Sequence, residues 1–585
     1  MLTFQFAFAQ ERVVSGKVTN AKGAPLPGAT ILVKGTTSGA FAKSDGKYRV
    51  TVPSNGKVLV FKMVGMKTKE VTLGGSDNVD VSLQDDATRS EDVVVTAIGI
   101  EQQKRSLTYA TQKVDGSALS QSKEANIVGG LAGKIAGVQV TNSTGAAGGS
   151  SYIRIRGASS ITGDNQPLFV IDGIPIDNSQ LNTEDALSGV AYSNRAVDIN
   201  PDDIESVNVL KGAAATSLYG IRAASGAIII TTKKGLSSSK VGRMSATFSS
   251  SLGIDQVNKL PELQSKYSQG RDGQIGSPVA AATQRPRSWG ASIDTLRWLA
   301  DPTWVWDKNG RIVGQSAAPN GTPVTPYDNL GAFFRTGYTT TNSFSLSGGN
   351  TSSNFFLSLS NMNQSGVTPK NTFERTTLRL SGDHAFSNEL KVSGSVNYSK
   401  SGGTRIQQGS NISGVMLGLL RTPITFDNAN GVDGAVNSEA YQFADGRQRA
   451  YRGYAGFDNP YWVVNNTPFT DEVNRIVAYA QADYTPADWI SVMYRVGQDF
   501  YSDRRKQIYA VNSNSYVAGR IIEDQYFNSD ITSDLIVTMR KDFDQDLKGS
   551  LILGQNMYSK SLDNLYATGD DLVIPGFYNM SNAST

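Results

Sequence analysis

The sequence predicts a mainly β protein with three parts: a small N-terminal β-sandwich, an α/β domain and a large antiparallel transmembrane β-barrel. Short strands separated by Gly, Pro and Asn occupy residues 12–83, and residues 104–236 mix helix and strand signals with many glycines. From residue 243 to 585, apolar and polar residues alternate along successive strands. Residues 84–103 connect the first two parts.

The first part is predicted to be a sandwich because its strands are short and regularly spaced. Val14 and Val18 lie on one face of the first strand, and a turn follows at residues 23–28. The further strands are expected at residues 29–34, 46–52, 57–64 and 79–83.

The second part carries the signals of a compact α/β module. Asn200 before Pro201 places a capping residue ahead of a proline at a first helical position. A strand is expected at Val207 to Leu210, a short helix at Ala213 to Tyr219, and a second strand at Gly226 to Thr232.

Strands of about ten residues with period-two alternation make up the third part. Along one of them, Leu390, Val392 and Val396 point to one face, and polar residues point to the other. Short turns alternate with long connections at about Ile254 to Gly337 and Ser401 to Glu472. This arrangement indicates a transmembrane β-barrel, since a large soluble sandwich or solenoid rarely contains such long loops.

Strand number adds an expectation about the barrel. Bacterial barrels close with an even number of strands, yet about nine strands precede the end of this chain. We therefore expect an incomplete barrel, with its C-terminal half missing from this chain.

Composition excludes several functions. Lys and Arg number 55 against 52 Asp and Glu, a net charge of +3 that favours no nucleic-acid partner. The chain has no cysteine and one histidine, His384, which excludes thiolate sites, a histidine-dependent triad and most zinc sites. We expect no enzyme activity and no cofactor, although a carboxylate pair that hydrolyses glycosides stays open as an alternative.

Residues 1–9 are predicted to be the remnant of a signal peptide. The stretch MLTFQFAFAQ is apolar and ends in Ala7-Phe8-Ala9, the small-x-small pattern of a cleavage site. Cleavage is therefore expected after Ala9, and the alternative is a buried strand.

Residues 91–100, EDVVVTAIGI, are strongly β-prone but lie between polar and charged segments, with no evident hairpin partner. An extended segment with unpaired backbone groups suits capture by another protein, which adds it to a sheet edge. The alternative is an ordinary buried strand.

These motifs together resemble the SusC/RagA family of TonB-dependent outer-membrane transporters from Bacteroidota. SGKVTNAKGAPLPGATILVKGT and SDGKYRV look like the family's carboxypeptidase-regulatory-like N-terminal extension, and EDVVVTAIGI looks like its TonB box. Four further segments of the chain look like successive signatures of the family's plug domain. They are LAGKIAGVQV (131–140), SYIRIRGASSI (151–161), PLFVIDGIPID (167–177) and NPDDIESVNVLKGAAATSLYGIRAASGAIIITTKKG (200–235).

The resemblance implies a plugged barrel of roughly 22 strands in the cell outer membrane. The partners it implies are TonB with ExbB–ExbD, a SusD-like surface lipoprotein that covers the barrel, outer-membrane lipid, and a glycan or peptide substrate. TonB would pull on the box and remodel part of residues 104–236. The TonB-binding residues would be Asp92, Val93, Val94, Val95, Thr96, Ala97 and Ile98.

Charged residues of the plug are candidates for contact with the barrel wall or the substrate. The alternative is that they are solvated turn and helix-end residues. The candidates are Arg154, Arg156, Asp172, Lys211 and Arg222, with Asp202, Asp203 and Glu205 beside them.

Aromatic residues of the long connections could stack on sugar faces, but we favour packing on their own loop or on the lipoprotein. They are Trp289, Trp298, Trp304, Trp306, Tyr441, Tyr451, Tyr454, Tyr461 and Trp462. No residue is predicted to bind the substrate. A siderophore- or cobalamin-type receptor and a surface adhesin or structural barrel stay open as alternative functions.

Overall fold

The computed structural model describes residues 12–20, 23–36, 38–54, 56–63, 66–84, 93–95, 101–103, 111–161, 165–181, 189–212, 217–235, 244–278, 287–409, 412–432, 437–453, 456–544 and 547–585. The predicted signal peptide lies outside these residues. The chain divides into two compact units, Met1–Val94 with Glu101–Leu107, and Val95–Ile100 with Thr108–Thr585. Among the described residues, no helix has the length and apolar character that crossing a membrane requires.

The N-terminal unit forms the small β-sandwich that its strand spacing predicts. Its described strands are β1 (Arg12–Asn20), β2 (Thr30–Val33), β3 (Gly39–Phe41), β4 (Lys47–Val52), β5 (Val58–Lys62), β6 (Lys69–Thr72) and β7 (Val81–Leu83). One sheet has the order β4-β1-β7 and the other β3-β2-β5-β6. In β4, Tyr48, Val50 and Val52 are at most 3% exposed, because period two places them on the inward face.

A two-stranded sheet follows the sandwich. Its strands are β8 (Val93–Val95) and β9 (Glu101–Gln103). The expectation that residues 91–100 lack a neighbouring strand is therefore wrong, because a partner lies a few residues further along the chain. Within the described residues, β9 is the strand neighbour of β8.

The α/β domain is built on a five-stranded sheet. Its elements are β10 (Thr111–Asp115), α1 (Gly116–Ser122), α2 (Ile127–Gly130), β11 (Val138–Asn142), β12 (Ser151–Ile155), β13 (Leu168–Ile171), β14 (Ile174–Ile176), β15 (Ile204–Leu210) and β16 (Ala227–Thr232). The sheet order is β10-β15-β16-β13-β14, in which β13 and β16 are parallel and the other neighbours antiparallel. The ribbon β11-β12 and both helices cover an apolar cluster that includes Phe169, Val207 and Ile228.

Three 3₁₀ turns complete this domain, at Arg195–Asp198, Pro201–Asp203 and Ser217–Ala223. The side chain of Asn200 accepts a hydrogen bond from Asp202 N at 3.1 Å, so the predicted cap exists, but β15 follows at once and limits the helix to one turn. The helix predicted at Ala213 to Tyr219 falls mostly outside the described residues, and its last residues belong to the 3₁₀ segment Ser217–Ala223. Gly220 has φ 64° and ψ −155°, which kinks a 3₁₀ segment there, and residues 213–216 lie outside the described part.

A nine-stranded antiparallel sheet forms most of the remainder. It begins with β17 (Met244–Asp255), and the connection after it contains β18 (Gly270–Arg271), β19 (Gln274–Ile275), β20 (Leu296–Leu299), β21 (Arg311–Gly314), β22 (Thr322–Pro323) and α3 (Asn329–Phe333). The sheet continues with β23 (Gly337–Gly349), β24 (Ser353–Ser365), β25 (Thr372–Ala385), β26 (Leu390–Arg405), β27 (Phe469–Ala487), β28 (Ile490–Tyr509), β29 (Arg520–Asp542) and β30 (Lys548–Asp570). Within the described residues β17 and β30 are its edge strands, and the sheet does not close.

Strand length departs from the expected ten residues. The strands of this sheet contain 12 to 23 residues, because the hydrogen-bonded ladder continues beyond the alternating apolar segment. The alternation itself is confirmed in β25, where Leu378 and Leu380 are 45% and 56% exposed while Thr377 and Arg379 are 0% and 3% exposed. The outer face is thus apolar and the inner face polar, with Phe356 as an inward-facing exception.

Loop lengths differ between the two ends of the sheet, as predicted. One end has the turns 350–352, 386–389, 488–489 and 543–547, and the other has the connections 256–336, 366–371, 406–468 and 510–519. The connection 406–468 contains α4 (Val415–Arg421) and α5 (Pro460–Asn466). We call the described residues of 256–336 and 406–468 the loop cap; its apolar cluster joins Leu330, Leu419 and Trp462.

Candidate functional site between the α/β domain and the sheet

Buried arginines line the inner face of the sheet where the α/β domain lies. Each is at most 3% exposed, since period-two alternation turns it away from the apolar outer face. They are Arg375, Arg379, Arg405, Arg475, Arg495 and Arg505. We call these residues the wall arginines.

Arg475 of β27 joins the sheet to the α/β domain. Its Nε and Nη2 donate to the two carboxylate oxygens of Asp499, both at 2.8 Å, so the charge is paired on the sheet itself. Its guanidinium also donates to the backbone carbonyls of Arg195 at 2.7 Å and Asp177 at 2.9 Å. A single side chain therefore holds two segments of the α/β domain, 18 residues apart in the chain (195 − 177), against the sheet.

Arg375 of β25 contacts the same domain through carbonyl groups. Its Nη1 donates to Ala125 O at 2.9 Å, Val197 O at 2.5 Å and Ile199 O at 3.2 Å. Every residue carries a backbone carbonyl, so these hydrogen bonds require the carbonyls to be in the right place but do not require particular side chains at residues 125, 197 and 199. This contact therefore depends on the path of the domain's backbone.

Arg405 and Arg505 repeat the arrangement of Arg475 with their own carboxylates. Arg405 forms a two-bond pair with Asp471, at 2.6 and 2.9 Å, and donates to Ala147 O at 3.1 Å. Arg505 pairs with Asp503 and donates to Leu181 O at 2.7 Å. Pairing on the sheet leaves the remaining donors of each guanidinium for the backbone of the α/β domain.

Two of the predicted polar residues contact the sheet. Asp172 lies 3.3 Å from the guanidinium of Arg379 and accepts a hydrogen bond from Thr232 N at 3.0 Å. The guanidinium of Arg222 lies over the ring of Tyr558 in β30, 3.8 Å from its centroid, a cation–π contact.

Asp202 and Asp203 also lie at this interface. Asp202 accepts a hydrogen bond from Ser343 Oγ of the sheet at 3.0 Å. Asp203 is 5% exposed, and burial raises the pKa of its carboxyl above the usual range.

The structure places the other predicted residues within the α/β domain. Lys211 Nζ donates to Gln112 Oε1 at 3.0 Å and Ala136 O at 2.7 Å, and burial, with Arg156 nearby, lowers its pKa. Arg154 lies over the ring of Tyr152 at 4.9 Å. Arg156 adopts φ 59° at the end of the ribbon, and Glu205 is exposed on β15.

Residues 189–200 are the most deeply inserted segment of the α/β domain. From Val190 to Asn200 every residue is buried. An isolated antiparallel bridge pairs Val190 with Gln407, where the loop cap begins, and Gln507 Nε2 donates to Tyr192 Oη at 3.0 Å. This segment connects the domain to the loop cap as well as to the sheet.

The wall arginines were missed by sequence reasoning, which considered charges on the α/β domain alone. A signal was available: Arg375 and Arg379 both fall on the polar side of the alternation in TFERTTLRL. An arginine at an inward position of a long strand needs a partner, which an adjacent domain can supply.

Most of the aromatic candidates are packed inside the loop cap. Trp306, Tyr441, Tyr451, Tyr461 and Trp462 are 1% to 7% exposed. Trp298 and Trp304 are half-buried and Trp289 is 58% exposed, while Tyr454 lies outside the described residues.

A buried carboxylate fastens the loop cap to the connection 510–519. Asp458 accepts hydrogen bonds from Ser413 Oγ and Ser513 Oγ at 2.7 Å, from Gln448 Nε2 at 2.5 Å and from Asn514 N at 2.7 Å. Burial nevertheless raises the pKa of this carboxyl, although the four donors oppose the shift.

Comparison with known families matches two segments of the chain. Residues 103–227 match the TonB-dependent Receptor Plug Domain, and residues 14–95 match the CarboxypepD_reg-like domain. The α/β domain on the inner face of the sheet is therefore a plug.

Two curated relatives are similar over longer stretches. The TonB-dependent receptor SusC of Bacteroides thetaiotaomicron is 30% identical over 464 residues, which cover 79% of this chain and 40% of that protein. The TonB-dependent receptor P26 of Formosa agariphila is 32% identical over 400 residues, covering 68% of this chain and 35% of that protein. The chain thus spans less than half the length of these relatives.

A solved structure shares the fold. The RagAB peptide importer in its open-open state matches with a TM-score of 0.60 and 21% identity, over 84% of this chain and 52% of that chain. The plug match and the two curated relatives place the chain among the TonB-dependent receptors. Within that class, the chain belongs to the SusC/RagA type.

Proposed function

We propose that the chain is the plug-bearing part of a TonB-dependent importer that moves oligosaccharides or peptides across the outer membrane. The observation that carries this proposal is the seating of the plug on the inner face of the sheet, through wall arginines that bind plug carbonyls. A plug held by polar contacts blocks the path at rest and can exchange partners when it is pulled. The function includes no catalytic step.

The energy must come from inside the cell, because the outer membrane has no nucleotide supply and sustains little ion gradient. TonB, driven by ExbB–ExbD, is the proposed source, and β8 is the proposed handle. Backbone hydrogen bonds to a partner strand share a pulling force, each contributing about 0.5–1.5 kcal/mol net. A TonB strand can add to β8 beside β9 or take the place of β9.

TonB binding is assigned to residues 92–98, of which Val93–Val95 are described and the others lie outside the described residues. At the other end, we propose that a SusD-like lipoprotein covers the long connections. Outer-membrane lipid would contact the exposed apolar face that includes Leu378 and Leu380. The RagAB structure is of a peptide importer, which supports peptides as one of the two cargo classes.

The test compares two substitutions at one position of the handle. Val94→Pro removes a backbone N–H from the strand and is expected to abolish TonB-dependent uptake, whereas Val94→Thr keeps the N–H and the β-propensity and is expected to preserve it. Uptake of labelled oligosaccharides and of labelled oligopeptides is measured in separate arms, in cells with and without TonB. Uptake in neither arm, or uptake that Val94→Pro leaves intact, would contradict the proposal.

A further inference from the structure

The loop cap contains a ring-sized cavity whose walls come from two connections. The cavity measures about 150 Å³ and is lined by Trp298, Trp304 and Trp306 from residues 256–336, and by Thr425 from residues 406–468. Gln269 fixes the two connections to each other, since its N–H donates to Thr425 Oγ1 at 2.9 Å and its Nε2 to Tyr451 O at 2.7 Å.

The size of the cavity limits its occupant to one small ring. A protein cavity of about 150 Å³ holds a six-membered ring such as benzene when its walls are apolar. Trp298 and Trp304 are half-buried, so the cavity can be reached from solvent. A single six-membered ring is therefore the unit that fits.

The side chains that line the cavity determine which kind of six-membered ring it can bind. Beside the tryptophans, the lining includes Gln269, Asp307 and Thr425, which are 4% to 7% exposed. Each of these three side chains has a hydrogen-bond partner in the protein, but Asp307 keeps acceptor capacity that a hydrocarbon ring or an apolar side chain cannot use. A pyranose ring has apolar C–H faces for the indoles and hydroxyl groups at its edge for the polar side chains.

Asp307 has room for a hydroxyl donor. Its Oδ1 accepts from Asn309 N at 2.9 Å and its Oδ2 from the Tyr327 hydroxyl at 3.3 Å. A carboxylate offers about four acceptor positions, so both oxygens can take a further hydrogen bond. Hydrogen bonds to a charged acceptor are the stronger kind, which suits a ligand held by few groups.

We infer that this tryptophan-walled cavity binds one pyranose unit of a glycan. The inference rests on the proposed function, for which it names sugars as the cargo class and the loop cap as a point of capture. Peptides are the competing class. An aliphatic or proline side chain of similar size would fill the indole-lined space but not the polar positions.

The experiment measures binding of methyl pyranosides of glucose, galactose, mannose and xylose to the purified full chain by saturation-transfer NMR. At least one pyranoside is expected to bind, and Trp304→Ala is expected to weaken it about tenfold. Trp289→Ala, an exposed tryptophan of the same connection, is the matched control and is expected to bind as the unchanged chain does. Asp307→Asn keeps the side-chain shape and is expected to weaken binding by a similar factor.

Each other outcome overturns the inference. Absence of binding by every pyranoside excludes a sugar site, and binding that neither Trp304→Ala nor Asp307→Asn affects places the site elsewhere. If trialanine or glycyl-prolyl-alanine binds instead of the pyranosides, and Trp304→Ala or Asp307→Asn weakens that binding, the cavity is a peptide site. Because this assay needs neither TonB nor uptake, its failure leaves the handle experiment at Val94 unaffected.

Discussion

The plug has two buried surfaces of opposite chemistry. Inside, Phe169, Ile228 and Ile230 pack in an apolar cluster to which the sheet contributes Val477. Toward the sheet, guanidinium groups bind backbone carbonyls, beside small apolar clusters such as Val197 with Met362 and Phe373. Apolar packing depends on shape and keeps the plug one unit, whereas hydrogen-bonding partners can be exchanged for water or for other carbonyls. The difference indicates a plug that shifts against the wall before it loses its own fold.

The largest expected effect is at the polar surface. Arg475→Ala leaves Asp499 buried without its partner and frees two plug carbonyls, so it is expected to cost about 3–5 kcal/mol of stability. Hydrogen exchange of the full chain should rise at residues 177–181 and 189–199 and stay low in β15 and β16. Arg504→Ala is the control, because Arg504 is exposed on the neighbouring strand. Equal exchange in both variants would show that Arg475 does not hold these plug residues against the sheet.

A core substitution should give the opposite pattern. Ile228→Ala removes a fully buried side chain from β16 and is expected to cost about 2–5 kcal/mol. Exchange should rise throughout the five-stranded sheet of the plug, while the contacts of residues 177–181 and 189–199 with the sheet are lost only when the plug as a whole unfolds. If Ile228→Ala loosens the wall contacts first, the two surfaces are not independent.

The loop cap offers a smaller and more local comparison. Asp458→Ala removes the acceptor that four donors share and is expected to cost about 1–3 kcal/mol, since Ser413 and Gln448 keep other partners and water can relieve part of the penalty. Asp458→Asn fits the same site, because its oxygen can accept from Gln448 and Asn514 while its amide donates to the two serines. Pulse proteolysis of the cap in urea measures both variants, and equal loss of stability in both would exclude this arrangement.

The same residue gives the smallest effect, a dependence on pH. Because burial raises the pKa of Asp458 in the folded cap, its contribution to stability is fully present below the unfolded pKa and is lost as pH rises through the folded value. The unchanged cap should therefore gain stability relative to Asp458→Asn on acidification from neutral pH. A difference between the two proteins that is independent of pH would contradict this sign.

The sequence was sufficient for the parts of the fold that rest on periodicity. Leu378, Leu380 and their alternating neighbours predicted both the long-stranded sheet and the apolar outer face. The ends of strands were not predictable in this way, since the ladder from Arg520 to Asp542 continues where hydrophobic alternation has already stopped. The two-stranded sheet of β8 was missed because Glu101–Gln103 are polar and carry no β signal.

The site was less predictable than the fold. Of the candidate plug charges, Asp172 and Arg222 contact the sheet, whereas Lys211 binds within the plug. The wall arginines were not considered, because their partners lie up to 324 residues away, as for Arg505 and Leu181. Such pairings depend on the register of sheet and plug, which local sequence does not contain.

The central claim is that TonB takes hold of β8 and acts on a plug that polar contacts keep in place. Hydrogen exchange of the full chain, with and without the C-terminal domain of TonB, tests it most directly. The account predicts new protection at Val93–Val95 and no new protection in the nine-stranded sheet. Unchanged exchange at Val93–Val95 in the presence of bound TonB domain would contradict it.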